Sequence, residues 1–276
     1  MNRLFRANFT RLLKDYVFWL ISVVLFGYAV IYMLNGCRQE KSGLAGGGHF
    51  LEDYYFQFAI VIGLFAAVFI TLYLSVEYSD GVVRNKIIAG YTRRSIYLSN
   101  LLLTFCASFF MMCMGLLGGL VGIPTFGVWN MGAFPVFVCV LVLMMFLFAF
   151  CAIFTFINML LQNKSVGAVV TILVFFALLF VASTMMNRLA QPETVSDVMF
   201  TAEGVVFDDP KPNPLYVDGA ARGVLDFVID VIPAGQGLRL ASNEVAHPVR
   251  MLLSSMVLAV LVTIMGIFAF ERKDLK

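Results

Sequence analysis

The chain has 276 residues, of which 61% are hydrophobic and only 13% charged, with a mean hydropathy of +0.91. Soluble domains carry about a quarter charged residues, so this composition excludes an ordinary water-soluble fold and asks for a lipid environment. The net charge of +2 says little until it is divided by location, and no nucleic-acid partner is expected.

The first fourteen residues interleave Leu4, Phe5, Phe9, Leu12 and Leu13 with Arg3, Arg6, Arg11 and Lys14, the pattern of an amphipathic helix lying on a membrane surface. Beyond them, uncharged gaps serve as a ruler, because crossing a hydrocarbon core of about 30 Å takes ~20 helical residues. The chain is uncharged from Tyr16 to Cys37 and again from Tyr54 to Val76, which predicts spans over 16–35 and 54–76. Leu34-Asn35-Gly36-Cys37 loosely resembles a lipoprotein cleavage box, but Asn35 fits it poorly and the preceding apolar run is as long as a full span.

After Val76 comes Glu77-Tyr-Ser-Asp-Gly-Val-Val-Arg-Asn-Lys-Ile-Ile-Ala-Gly-Tyr-Thr-Arg-Arg94. It reads as a short interfacial helix that Asp80 and Gly81 start and Gly90 ends. Val83 and Ile87 share one face at i, i+4, and Arg84 and Lys86 offer charge. A plain basic loop that only fixes topology is the simpler reading of the same residues.

From Ser95 to Asn163 no residue is charged, and one helix of that length would run about 100 Å. The breakers Gly122, Pro124, Gly127, Gly132 and Pro135, with the interfacial Trp129, fold it back. This predicts spans over 95–123 and 134–161, followed by 165–187 and 251–270. Gly115, Gly118, Gly119 and Gly122 form two overlapping Gly-x-x-x-Gly pairs that let another helix approach closely, within the subunit or between subunits.

The segment 188–250 falls outside the spans and is expected on the external side of the membrane, opposite the termini. Its breaker-rich middle, Asp208 to Pro214, reads as an exposed acidic turn. Val224, Leu225, Phe227, Val228 and Val231 then predict a helix half-buried at the membrane surface. Most of the 19 basic residues fall on one side of the six spans: Arg3, Arg6, Arg11, Lys14, Arg84, Lys86, Arg93, Arg94, Lys164, Arg272, Lys273 and Lys276. By the positive-inside rule both termini are expected in the cytoplasm. The expected fold class is an all-α membrane protein, with six transmembrane helices, an interfacial N-terminal helix and a cytoplasmic helix between spans two and three.

Four of the five cysteines, Cys106, Cys113, Cys139 and Cys151, lie in apolar runs and read as small hydrophobes. Neither His49 nor His247 sits at metal-ligand spacing, so no metal site is expected. There is no Gly-x-x-x-x-Gly-Lys-Ser/Thr loop to cradle a nucleotide phosphate.

Glu77, Gly81, Ile87, Gly90 and Arg94, placed between spans two and three, resemble the ABC-2 type transporter permeases. The resemblance extends over the whole chain, through the amphipathic start, the long segment before the last span and the ending from Phe270 to Lys276. The stretch Pro233 to Leu240 is similar to permeases of Gram-positive bacteria tied to bacteriocin or lantibiotic export and self-protection. Asn100 departs from the pattern, since many relatives carry a lysine early in span three.

The resemblance implies a single permease domain, 1–276, in a bacterial plasma membrane. Such a subunit pairs with a second permease chain, identical or different, and with cytoplasmic ABC ATPases that hold ATP and magnesium; it binds no cofactor itself. Residues 80–90, with Glu77, Arg93 and Arg94, would form the element coupled to the ATPase. The export substrate would be an amphipathic peptide, lipid or drug. Two other readings stand beside it: a self-powered secondary transporter or channel, which would need ionisable groups deep in its spans, and an intramembrane enzyme, which would need convergent polar groups.

Overall fold

A computed structural model describes the chain except Met1, 43–47, Asp80, Val128, Gln162, Asp197, 202–203, Asp208 and 274–276. The described residues are mostly helical, and six of their helical stretches are long and apolar enough to cross a membrane. In chain order the helices are α1 (Asn2–Leu13), α2 (Tyr16–Ser42), α3 (Leu51–Tyr55), α4 (Ala59–Ser79), α5 (Val82–Ile88) and α6 (Arg93–Gly119). They continue with α7 (Ile123–Phe126), α8 (Ala133–Leu160), α9 (Lys164–Leu189), α10 (Gly219–Val231), α11 (Pro233–Ala241) and α12 (Pro248–Arg272).

Helix starts follow local chemistry. Asp15 Oδ1 accepts the Val17 amide at 2.8 Å ahead of α2, the Thr92 hydroxyl accepts the Ser95 amide ahead of α6, and Asn163 Oδ1 accepts those of Ser165 and Val166 ahead of α9; each removes an orphan donor of a first turn. Charge is a poor ruler for where a helix stops. α2 runs through Arg38, Glu40 and Lys41 to Ser42, because charged residues past the hydrocarbon edge are free to stay helical in water. Cys37 is buried inside that helix.

α8 is the central post, with α12, α4 and α6 packed along it and α9 beside α4. The four glycines of the third span seat neighbours of the same chain. A Cβ on Gly118 would lie 2.9 Å from both Ala29 Cβ and the Phe26 carbonyl oxygen of α2. One on Gly115 would meet Phe58 at 2.6 Å, one on Gly119 Tyr55 at 2.6 Å, and one on Gly122 Met33 Sδ and Leu51 Cδ1. A 3-10 turn at Leu120–Gly122 and α7 carry this span on to Phe126 before the chain turns back.

The segment before the last span departs from the all-α expectation. β1 (Thr194–Val195) pairs antiparallel with β4 (Lys211–Pro212), and β2 (Val198–Thr201) with β3 (Gly204–Phe207). The valine-rich composition of 195–207 favours extended backbone over helix. The expected acidic turn at Asp208 falls outside the described residues, and Lys211 and Pro212, inside the stretch read as breakers, are strand. The helix expected near Val224–Val231 forms as α10, with Val224 and Phe227 exposed. α11 is not a surface element at all: eight of its nine residues are buried, wedged against α4, α8 and α9.

Candidate functional site

The site grows from Glu77, near the end of α4. Its side chain is fully buried, and a carboxylate there persists as a charge only if it is paired and hydrogen-bonded. Lys86 of α5 places Nζ 2.7 Å from Oε1, Arg11 of α1 places Nη1 3.5 Å from the same oxygen, and Asn100 of α6 donates Nδ2 to Oε2 at 2.7 Å. One carboxylate thus ties together four helices. Around it, the Asn8 amide donates to Asn100 Oδ1 and Ser99 Oγ, the Tyr73 hydroxyl donates to the Asn8 carbonyl, and the Arg11 guanidinium lies 4.9 Å over the Tyr73 ring.

α5 has two distinct faces. Val83 and Lys86 are buried and Ile87 is half-buried against the core, while Arg84, Asn85 and Ile88 point outward, Ile88 at 74% exposure. Lys86 is therefore not a charge offered to a partner, because Glu77 takes it. Ile88, off the face shared by Val83 and Ile87, is the apolar residue presented. Asp80 lies outside the described residues, and Gly81 occupies the N-cap position with φ 64°. Gly90, at φ 86°, closes the helix: its amide donates to the Ile87 carbonyl at 2.9 Å and the Tyr91 amide to that of Lys86 at 3.1 Å. That pair of bonds is a Schellman stop, and a left-handed residue is required there.

Arg93 and Arg94 face the last span. Arg93 Nη1 donates to the carbonyls of Phe270 at 3.1 Å and Glu271 at 2.9 Å, and also to that of Lys273. Arg94 pairs with the Glu271 carboxylate, and Lys273 Nζ donates to the Met159 carbonyl at 2.9 Å at the end of α8. Free carbonyls at a helix C-terminus attract cations, so the residues just after α5 hold the end of α12. No protein-family model matches the chain, and a comparison with curated proteins found no match.

From Asn100 a polar seam runs into the bundle. Thr104 meets the Thr155 hydroxyl at 3.1 Å, and Cys151 Sγ lies 3.3 Å from Ser108 Oγ. Asn158 Nδ2 donates to Thr171 at 2.9 Å and Thr71 at 3.2 Å, joining α8, α9 and α4. Such bonds between spans contribute about 0.6 kcal/mol each. In sequence these residues lie far apart; the i, i+4, i+8 spacing of Asn100, Thr104 and Ser108 is the local signal of a shared face.

A second charged cluster sits at the opposite end of the bundle, where the sequence predicts a half-buried helix and no charged site. Asp226 and Asp230 of α10, one turn apart, meet Arg239 of α11 and Arg250 of α12. Arg239 Nε lies 2.8 Å from Asp230 Oδ1 as an ion pair poorly aligned for hydrogen bonding, and its Nη2 reaches Asp226. Arg250 Nη2 lies 2.7 Å from Asp226 Oδ2 and also contacts Asp230. Burial raises the Asp226 carboxyl, but hydrogen bonds from Arg250 and Arg239 outweigh it and hold the group below the usual carboxylate range. Gln236, fully buried, donates Nε2 to the carbonyls of Asp230 at 2.7 Å and Met251 at 3.0 Å, and Ser255 donates to its Oε1 at 2.9 Å.

Proposed function

We propose that the chain is the membrane-spanning permease subunit of an ATP-driven exporter, moved by separate ATPase subunits that dock on α5 and working beside a second permease chain. The observation that carries this reading is the split character of α5: one face is fastened to Glu77, and the other presents Arg84, Asn85 and Ile88. A partner that pushes on the outer face displaces Lys86, and with it the buried carboxylate shared with α1, α4 and α6. Because Arg93 and Arg94 follow α5 directly and clasp the end of α12, the last span moves with them. With no phosphate loop in the sequence, ATP and magnesium belong, on this reading, to the partner. On this reading the Glu77 end is cytoplasmic, the membrane is a bacterial plasma membrane, and the cargo is an amphipathic peptide, lipid or drug. Nucleotide would shift the equilibrium between two arrangements of the bundle only through its different affinity for each.

The test is co-purification of the full chain in mild detergent with mass spectrometry, beside a variant carrying Arg84→Glu and Ile88→Asp. The expected result is an ATPase with a phosphate loop that co-purifies with the wild type, hydrolyses ATP in the complex and is lost from the variant. Recovery of no ATPase in several detergents overturns the reading and leaves a secondary transporter.

A further inference from the structure

Between α10 and α12, at the end of the bundle away from Glu77, lies a groove of about 970 Å³, at the upper end of the size of small-molecule sites. Its floor is apolar. Phe227 and Val231 of α10 form one wall, and Leu253, Val257 and Leu261 of α12, spaced four residues apart, form the other. Polar groups occur at one end only, where His247, Arg250 and Ser254 line the mouth. From Arg250 to Leu261 the helix rises about 16 Å, close to the ~15 Å of hydrocarbon in one leaflet.

The mouth is built for an oxyanion. Arg250 donates Nε to Asp230 at 2.7 Å and Nη2 to Asp226 at 2.7 Å, which leaves Nη1 with no acceptor among the described residues. Its guanidinium is held 5.6 Å over the Phe227 ring, and its side chain is 29% exposed. His247 Nε2 stands 3.6 Å from Asp226 with the side chain 53% exposed, so its ring lies at the rim. The two aspartates are matched by Arg239 and Arg250, so the mouth offers directed donors rather than excess charge. A phosphodiester joined to a long apolar chain satisfies both ends at once: polar head at the mouth, chain along Leu253, Val257 and Leu261.

We propose that this groove is a specific site for a membrane phospholipid, its phosphodiester held by Arg250 Nη1 and His247 and one acyl chain laid along α12. The site is independent of whether an ATPase binds at α5.

Native mass spectrometry of the delipidated chain tests it, with three probes: palmitoyl-oleoyl phosphatidylglycerol, the matching diacylglycerol without phosphate, and glycerophosphate without chains. The wild type is expected to retain one phosphatidylglycerol and to bind the other two at least tenfold more weakly. Val257→Trp, which fills the chain track at an exposed position, is expected to lose at least tenfold in retention with an unchanged melting temperature. His247→Ala, which leaves the arginine–aspartate cluster paired, is expected to lose several-fold. Equal retention by Val257→Trp and the wild type overturns the proposal, as does diacylglycerol binding as tightly as phosphatidylglycerol. So does a lipid-free wild type that forms a dimer which Val257→Trp dissociates, since the groove is then a contact between copies. Should Val257→Trp fail to fold, Leu261→Trp with the same probes decides.

Discussion

The two charged clusters solve the same problem in different ways. At the α5 end one carboxylate, Glu77, serves Lys86, Arg11 and Asn100, so three attachments depend on a single group. At the far end two aspartates and two arginines brace α10, α11 and α12, and each carboxylate touches both guanidiniums. The first arrangement is a node, where a push at one helix reaches the others through one residue. The second is a brace, redundant and suited to holding α11 fixed. The difference is one of dependence: losing Glu77 strips three attachments at once, whereas losing one guanidinium at the far end leaves each aspartate a second.

Substitution can break that contrast. Glu77→Ala leaves Lys86 buried without its counter-charge, and breaking a buried pair in this way costs about 3–5 kcal/mol. The expected outcome is a large fall in the detergent melting temperature and loss of any partner-stimulated turnover. Arg239→Gln is expected to cost less, about 2–3 kcal/mol, because Arg250 still faces both aspartates; equal costs at the two sites, measured by denaturant unfolding, would erase the distinction between node and brace. Gly118→Val should cost about 1–3 kcal/mol by overpacking α2 against α6, with neither cluster disturbed, and a melting curve beside the other variants checks this.

The far end also has a pH signature. Asp226 is held below its ordinary carboxylate range, so its contribution is fully present above about pH 4 and is lost as pH falls through its folded value. Melting temperature should decline on acidification below pH 4, and Asp226→Asn should flatten that decline. The smallest effect belongs to Thr92→Ala, which removes the cap of α6 for about 1 kcal/mol and should leave the contrast between the ends intact.

Much of the architecture was legible in the sequence because charge is scarce. Five long uncharged runs hold the six long helices, and the breakers from Gly122 to Pro135 divide the run from Ser95 to Asn163 into the third and fourth. What stayed hidden depends on pairing across distance. Nothing local to Asn100 shows that its amide completes the shell of Glu77 or bonds Asn8. Lys86 and Arg84 look alike in sequence; only the position of the Glu77 carboxylate decides that one is buried and the other exposed. α11 misleads for the opposite reason, because its glycines and its Arg239 look like a surface loop until the aspartates of α10 are beside them.

The node has a timing consequence during synthesis. Asn8 finds its partner Asn100 only 92 residues later in the chain, which at ordinary translation speeds is a wait of roughly 5–20 s. For that interval α1 has only part of its seat, the Tyr73 hydroxyl on the Asn8 carbonyl and Glu77 beside Arg11, and the rest of its basic and apolar surface has the lipid headgroups to rest on. The first helix made therefore completes its docking only once the third span is made, over a carboxylate whose other partner, Lys86, precedes Asn100 in the chain.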